Sequence, residues 1–495
     1  MDAYQELESI FRRIGALEQA EGILHWDMSV VMPAGGAEAR AEQLAAIELT
    51  THGMMTEGRI GDLLDAAEAA PPRDPWPAAN LREMRRRWRH ATAIDGALVE
   101  ALSKASSRCE MLWREARPKA DFAIAAPALD RLLRLVREKA AVKAEALGLT
   151  PYEALLDQYE PGLRAADIDL LFDDLAGFLP DFMAGVLDRQ AKGPAPVLPE
   201  GPFDIAAQRA LCLRLMSQIG FDFDHGRLDV SLHPFCGGVP DDVRITTRYA
   251  ENDFVESLMG VLHETGHAMY ERGLPPDWRL QPVGHARGMA MHESQSLLVE
   301  MQVCRGRDFL GFAAPLMREA FRAAGPAWEP DNLYRLYTRV APGFIRVDAD
   351  EVTYPAHVIL RYRLERALIA GELAISELPG AWNAAMRDAL GITPPSDREG
   401  CLQDIHWYHA EFGYFPTYTM GALAAAQLFA AATATDGGIR PAIATGDFGP
   451  LMTWLRANVH GKASLLTTGE IMAQATGAPL GTDAFKAHLR SRYLT

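Results

Sequence analysis

Helical periodicity runs through most of the chain. Tyr4, Leu7, Ile10, Phe11, Ile14 and Leu17 recur at i, i+3 and i+4 spacing and form one apolar stripe. Residues 81–115 and 127–148, rich in Arg, Glu, Ala and Leu, predict further helices. Two proline-rich breaks interrupt the pattern, Pro71-Pro72-Arg73-Asp74-Pro75-Trp76-Pro77 and the run from Gly193 to Pro202. Neither is long or polar enough to be an obvious interdomain linker. One stretch alternates instead. Leu228, Val230 and Leu232 are separated by Asp229 and Ser231, and Val243, Ile245 and Thr247 repeat the two-residue period. Between these runs, Phe235-Cys236-Gly237-Gly238-Val239-Pro240 reads as turn residues. The pattern predicts a mostly α protein with a small hairpin, or two short strands, near residue 240.

Directly after the alternating stretch comes a capped helix. Asp253 is placed as its N-cap, with Glu256 completing a capping-box-like pair, and Gly273, Pro275 and Pro276 supply the stop. Within it lies His263-Glu264-Thr265-Gly266-His267. Histidines four apart on a helix share one face and can grip one ion, and neutral imidazole is a preferred zinc ligand. Glu264 stands about 100° round from His263. It can therefore sit beside the ion without binding it and take a proton from water. Gly266 removes a side chain beside the second histidine and lets another backbone or a substrate approach.

The pentapeptide alone also arises by chance, and a catalytic zinc site requires a third protein ligand. The pattern HExxHxxGxxH fails, because Tyr270 and Gly273 occupy its later positions. His285, His292, Glu293 and Glu300 remain as candidates. Met289 to Cys304 reads as a second helix, on which Glu293 and Glu300, seven apart, share a face. Spacing alone leaves both open.

Composition narrows the setting. The 495 residues are 48% hydrophobic and 23% charged, with a net charge of -17. A nucleic-acid footprint and electrostatic docking on anionic membranes both require a basic face, so neither partner is expected. Five cysteines, Cys109, Cys212, Cys236, Cys304 and Cys401, are widely spaced and fit a reduced compartment. The opening residues lack the apolar core of a signal peptide, and no apolar run has spanning length. A soluble cytoplasmic protein is the expectation.

Beyond the pentapeptide runs an ordered series of motifs. The series is His25-Trp26-Asp27 with Met32-Pro33, His233-Pro234-Phe235, Asp242-Val243-Arg244-Ile245-Thr246, HETGH, and His292-Glu293-Ser294-Gln295-Ser296. It continues with Ile345-Arg346-Val347-Asp348-Ala349-Asp350 and Gly400-Cys401-Leu402-Gln403-Asp404-Ile405-His406-Trp407. In this order the series resembles the Taq carboxypeptidase family of thermostable-type carboxypeptidases. The resemblance implies that His263, His267 and Glu293 are metal ligands, with Glu264 as general base and later proton donor to the leaving amine. It implies removal of single residues from peptide C-termini with zinc, or cobalt, in the site. The implied fold is like that of neurolysin and angiotensin-converting enzyme, one catalytic domain over residues 1–495 with two helical lobes flanking a deep groove. A homodimer is also implied. Val347-Asp348 departs from the pattern, since many members carry Thr-Glu there.

A terminal carboxylate is best read by the bidentate fork of an arginine. Arg346, Arg244 and Arg361 are candidates, with motif context favouring Arg346, and each also suits a structural ion pair. His406 is expected to contact substrate, or to pack beside Trp407. Tyr414 and Tyr418 follow it at spacings similar to those in the related converting enzymes, and one of them is expected to donate its hydroxyl to an oxyanion. His233 and Asp242 are placed on the cleft wall, or in a purely structural hairpin. His285 and His292 receive no role. The rival readings are an oligopeptidase or dipeptidyl carboxypeptidase using the same centre, and a metal-stabilised scaffold without turnover.

Overall fold

The computed structural model describes residues 2–495. The predicted first helix spans Ala3–Val30, started by a capping box between Asp2 and Gln5. Its stripe buries Leu7, Ile10, Phe11 and Ile14 against Ile60, Leu64, Leu81 and Met84 from the next helices, which forms a small core of its own. The segment 81–115 is not one helix. Pro75–Thr92 and Gly96–Lys119 are separate, because Asp95 caps the second through the Leu98 N–H at 2.8 Å. The 127–148 pattern belongs to Phe122–Leu147, which ends at Gly148 in the left-handed conformation, φ 69°.

The β element has three strands rather than two, β1 (Gly226–Val230), β2 (Phe235–Val239) and β3 (Asp242–Thr247), in the order β1-β3-β2. β1 runs parallel to β3 and β2 antiparallel to it, with Leu228 beside Ile245 and Cys236 beside Ile245 on the other side. The residues read as a turn are thus a strand. Gly237 and Gly238 suppress the strand signal in sequence, yet the pairing needs them small. Gly238 has φ 83°, and a Cβ at Gly22 of the first helix would lie 3.3 Å from its carbonyl oxygen.

The HETGH helix spans Val255–Gly273, 19 residues as the pattern predicts. The N-cap is Phe254 rather than the predicted Asp253, whose side chain still accepts the Val255 N–H at 2.7 Å and the Glu256 N–H at 3.4 Å. The capping box does not form, because the Glu256 carboxylate turns to Arg248 at 2.9 Å. The second predicted helix is two segments, α-helical over Gly288–Leu297 and π-helical over Leu298–Cys304. Gly266 brings the two helices together. A Cβ there would lie 2.6 Å from Ser296 Cα, so the backbone approach expected of this glycine is made by the partner helix. On the other side, Gly421 of the helix Pro416–Thr435 faces Glu293, whose Cβ would be 2.8 Å from an added methyl. These three helices sit inside the main core. No helix among the described residues is long and apolar enough to cross a membrane.

Candidate active site

His263, His267 and Glu293 converge. One ligand atom from each lies within 4.8 Å of the others. His267 Nε2 is 3.4 Å from Glu293 Oε2, and His263 Nε2 is 4.0 Å from Glu293 Oε1. Tetrahedral ligands about 2 Å from one ion are separated by roughly 3.3 Å, so the donor set and its spacing fit a divalent metal. The rear of each imidazole is also held. Glu300 Oε2 lies 2.9 Å from His263 Nδ1 and is braced by Arg305. His292 Nδ1 lies 2.6 Å from His267 Nδ1, while His292 Nε2 is 2.8 Å from Glu271. Metal binding through both Nε2 atoms would place the ring protons on Nδ1, and the contacts would then run from His267 through His292 to the Glu271 carboxylate.

Glu293 and Glu300 therefore divide the two sides of His263 between them. The single helix behind their predicted shared face is broken, with Glu293 in the α-helical segment and Glu300 in the π-helical one, yet both reach His263. His292, given no role by sequence, is in the same network. Its signal was adjacency to Glu293, which on a helix points elsewhere and so carried little weight.

The electrostatics follow the geometry. Burial opposes charge on His263, yet Glu300, Glu293 and Glu264 raise it to about 10. Burial depresses His267 to about 4. Glu264 is 8% exposed, and burial, with Glu293 and Glu300 adding to it, raises its carboxyl to about 7. Against burial, Arg305 and His263 hold Glu300 down at about 2.

The arginine candidates separate. Arg361 is fully buried with its fork committed, to Asp404 at 2.7 Å, the His357 carbonyl at 2.7 Å and Gln403 at 2.7 Å. Arg244 pairs with Asp242 at 3.0 Å through Nε and lies 4.2 Å over the Trp26 ring, which joins the first and third sequence motifs. Arg346 gives Nε and Nη2 to Asp404 Oδ1 at 3.1 and 2.9 Å and stacks 4.6 Å over Tyr418. Asp404, which no sequence argument singled out, thus anchors two arginines and is driven well below the carboxylate range by them despite burial. His233 is exposed on the loop after β1, and its carbonyl accepts from Ser231.

His406 Nε2 lies 3.2 Å from the Tyr418 hydroxyl, and its Nδ1 has no protein partner. Tyr414 and Tyr418 pack edge to face at 5.2 Å, and Tyr414 meets Tyr159 at 5.1 Å. Burial raises both site phenols, Tyr418 to about 12 and Tyr414 well above its ordinary value, with the Glu293 charge contributing to each. Past Tyr159 opens a cavity of about 620 Å³ whose walls include His292, Met289, His285, Arg86 and Lys143. His285 therefore lies on the cavity wall.

Comparison with known proteins covers nearly the whole chain. A family model described as carboxypeptidase Taq (M32) metallopeptidase matches residues 6–493. Thermostable carboxypeptidase 1 of Thermus thermophilus is 40% identical over 505 aligned positions, covering 99% of this chain and 98% of that protein. Among solved structures, Trypanosoma cruzi metallocarboxypeptidase 1 has a TM-score of 0.97 at 40% identity, over 100% of this chain and 99% of its own. The M32 carboxypeptidase of Deinococcus radiodurans R1 has 0.93 at 35%, over 99% and 98%. These matches define a metallocarboxypeptidase, a hydrolase of peptide bonds. The chain belongs to the carboxypeptidase Taq (M32) metallopeptidase family.

Proposed function

We propose that His263, His267 and Glu293 hold the catalytic metal, zinc or cobalt, and that Glu264 is the general base in removing single residues from the free C-terminus of peptides. The observation that carries this is the convergence of both Nε2 atoms on Glu293 while Glu300 and His292 hold the opposite ring edges. A divalent ion bound there supplies Lewis-acid polarisation of water and carbonyl near neutral pH. Glu264, 8% exposed and adjacent in sequence to His263, is placed to take the proton of the attacking water and pass it to the leaving nitrogen. Tyr414, whose hydroxyl bonds no described residue, is free to donate to the tetrahedral oxyanion. His406 Nε2 and the Tyr418 hydroxyl, 3.2 Å apart, are the proposed substrate-contacting pair beside it.

Arg346 is the proposed reader of the terminal carboxylate, because Nη1 stands outside its ion pair with Asp404. Arg244 and His233 are proposed to shape the cleft wall from β3 and the loop after β1. One catalytic domain, two helical lobes about the cleft, a homodimer and a cytoplasmic site complete the proposal. Five free cysteines, four of them buried, support a reducing compartment. The homodimer rests on the family resemblance. The family and its named members favour a carboxypeptidase over the oligopeptidase and scaffold readings. In a Glu264→Gln variant, metal content should equal wild type while turnover of an N-blocked dipeptide falls about 100-fold or more. Normal turnover in that variant contradicts the assignment of the base.

A further inference from the structure

Glu365 lies on the helix Tyr354–Ala370 and is fully buried. Its Oε1 accepts the Tyr152 hydroxyl at 2.7 Å and the Gly413 N–H at 2.8 Å, and its Oε2 accepts the Trp407 indole N–H at 2.7 Å. Trp407 directly follows His406, and Gly413 directly precedes Tyr414. One carboxylate thus grips the chain beside each of these two residues, at the two ends of one loop. The intervening backbone is unusual, with φ 63° at Ala410 and 92° at Gly413. A Cβ at Gly413 would lie 2.8 Å from Leu156 N, so this turn is pressed against the short helix Pro151–Leu156 that supplies Tyr152. The His406 and Tyr414 rings end 5.6 Å apart.

We propose that Glu365 is a positioning residue that fixes the separation of His406 and Tyr414 without touching substrate. This rests on the assignment of those two side chains to substrate and oxyanion contacts. The carboxylate is satisfied by three donors that all belong to the loop or to its support. A weakened tether therefore moves the two reacting side chains relative to each other before it disturbs the metal ligands, which sit on other helices. A carboxylate that only stabilised the fold would shift the melting temperature and leave turnover unchanged below it.

Glu365→Gln keeps the shape but places an NH2 where one oxygen was. Oε1 meets two donors and Oε2 one, so the amide nitrogen takes the Oε2 place and confronts the Trp407 N–H. The expected result, in folded protein with wild-type metal content, is a kcat lowered more than about threefold with KM nearly constant, since a misplacement of about 1 Å can cost up to about 100-fold. In a Trp407→Phe background the opposing N–H is gone, and the same substitution should cost less than about half that factor. A kcat within about threefold of wild type overturns the proposal, and so does an undiminished loss in the Trp407→Phe background. If Glu365→Gln does not fold, Trp407→Phe alone carries the test: a kcat lowered more than about twofold at unchanged metal content supports the tether, and a smaller change overturns it. A wild-type protein that releases no C-terminal residue contradicts the function itself and is distinguished by that control.

Discussion

Both imidazoles of the proposed metal centre are held at the ring edge away from Glu293, and this ordering is where a single substitution acts most cleanly. Glu300 fixes the His263 ring through Nδ1 and contributes no ligand atom. Glu300→Ala should therefore weaken metal affinity by about 10- to 100-fold while leaving the helix and its neighbours folded. Competitive chelator titration measures it, and unchanged affinity contradicts the role. At this scale the sequence was partly legible. His263, Glu264 and His267 follow from spacing within one helix, because helical periodicity fixes their relative directions. Glu300, His292, Asp404 and Glu365 did not, because their roles depend on which helix meets which, and no local period encodes that. Arg361, a plausible carboxylate reader in sequence, is excluded by a fork already filled with buried partners.

Elements hold the site through buried ion pairs as well as apolar packing. Glu351, fully buried, binds His488 at 2.7 Å, Arg492 at 2.9 Å and the Tyr493 hydroxyl at 3.1 Å, which docks the C-terminal helix Asp483–Tyr493. Burial opposes its charge, but Arg492 and His488 lower its carboxyl from 4.5 to about 2. The folded state thus holds the proton less tightly than the unfolded chain does. The resulting stability, about 3 kcal/mol from the shift, is present above about pH 5 and lost as the pH falls toward 2. The melting-temperature gap between wild type and Glu351→Gln should be widest near neutral pH and should shrink at about pH 3. A gap independent of pH contradicts this. Long helices with clear stripes were readable in sequence. β2 was not, because its two glycines answer to close contacts within the sheet, Gly238 against the Asp242 carbonyl and Gly237 against the Phe235 ring, rather than to strand propensity. The π-helical turn after Leu297 was equally hidden, since its residues carry an ordinary apolar pattern.

In the whole molecule, the described residues form two apolar clusters. The small one ties together the first helices, and the large one contains the three helices that carry or contact the proposed metal ligands. The cavity of about 620 Å³ is lined both by the first two helices, through Glu21 and Glu48, and by residues beside the metal centre such as His292. Its walls mix apolar side chains such as Met55, Met289 and Pro282 with charged ones such as Arg86 and Lys143. Motifs far apart in sequence become neighbours here, Trp26 with Arg244 and Arg346 with Asp404. That is why an ordered series of motifs carried the family resemblance while none of them, read singly, revealed its partner. The most direct test of the central claim is mass analysis of the products from one peptide offered with a free and with an amidated C-terminus. A metal-dependent ladder of products shortened one residue at a time from the free end, with the amidated peptide intact, is the predicted result. Internal cleavage, release of dipeptides, or digestion of the amidated peptide contradicts it.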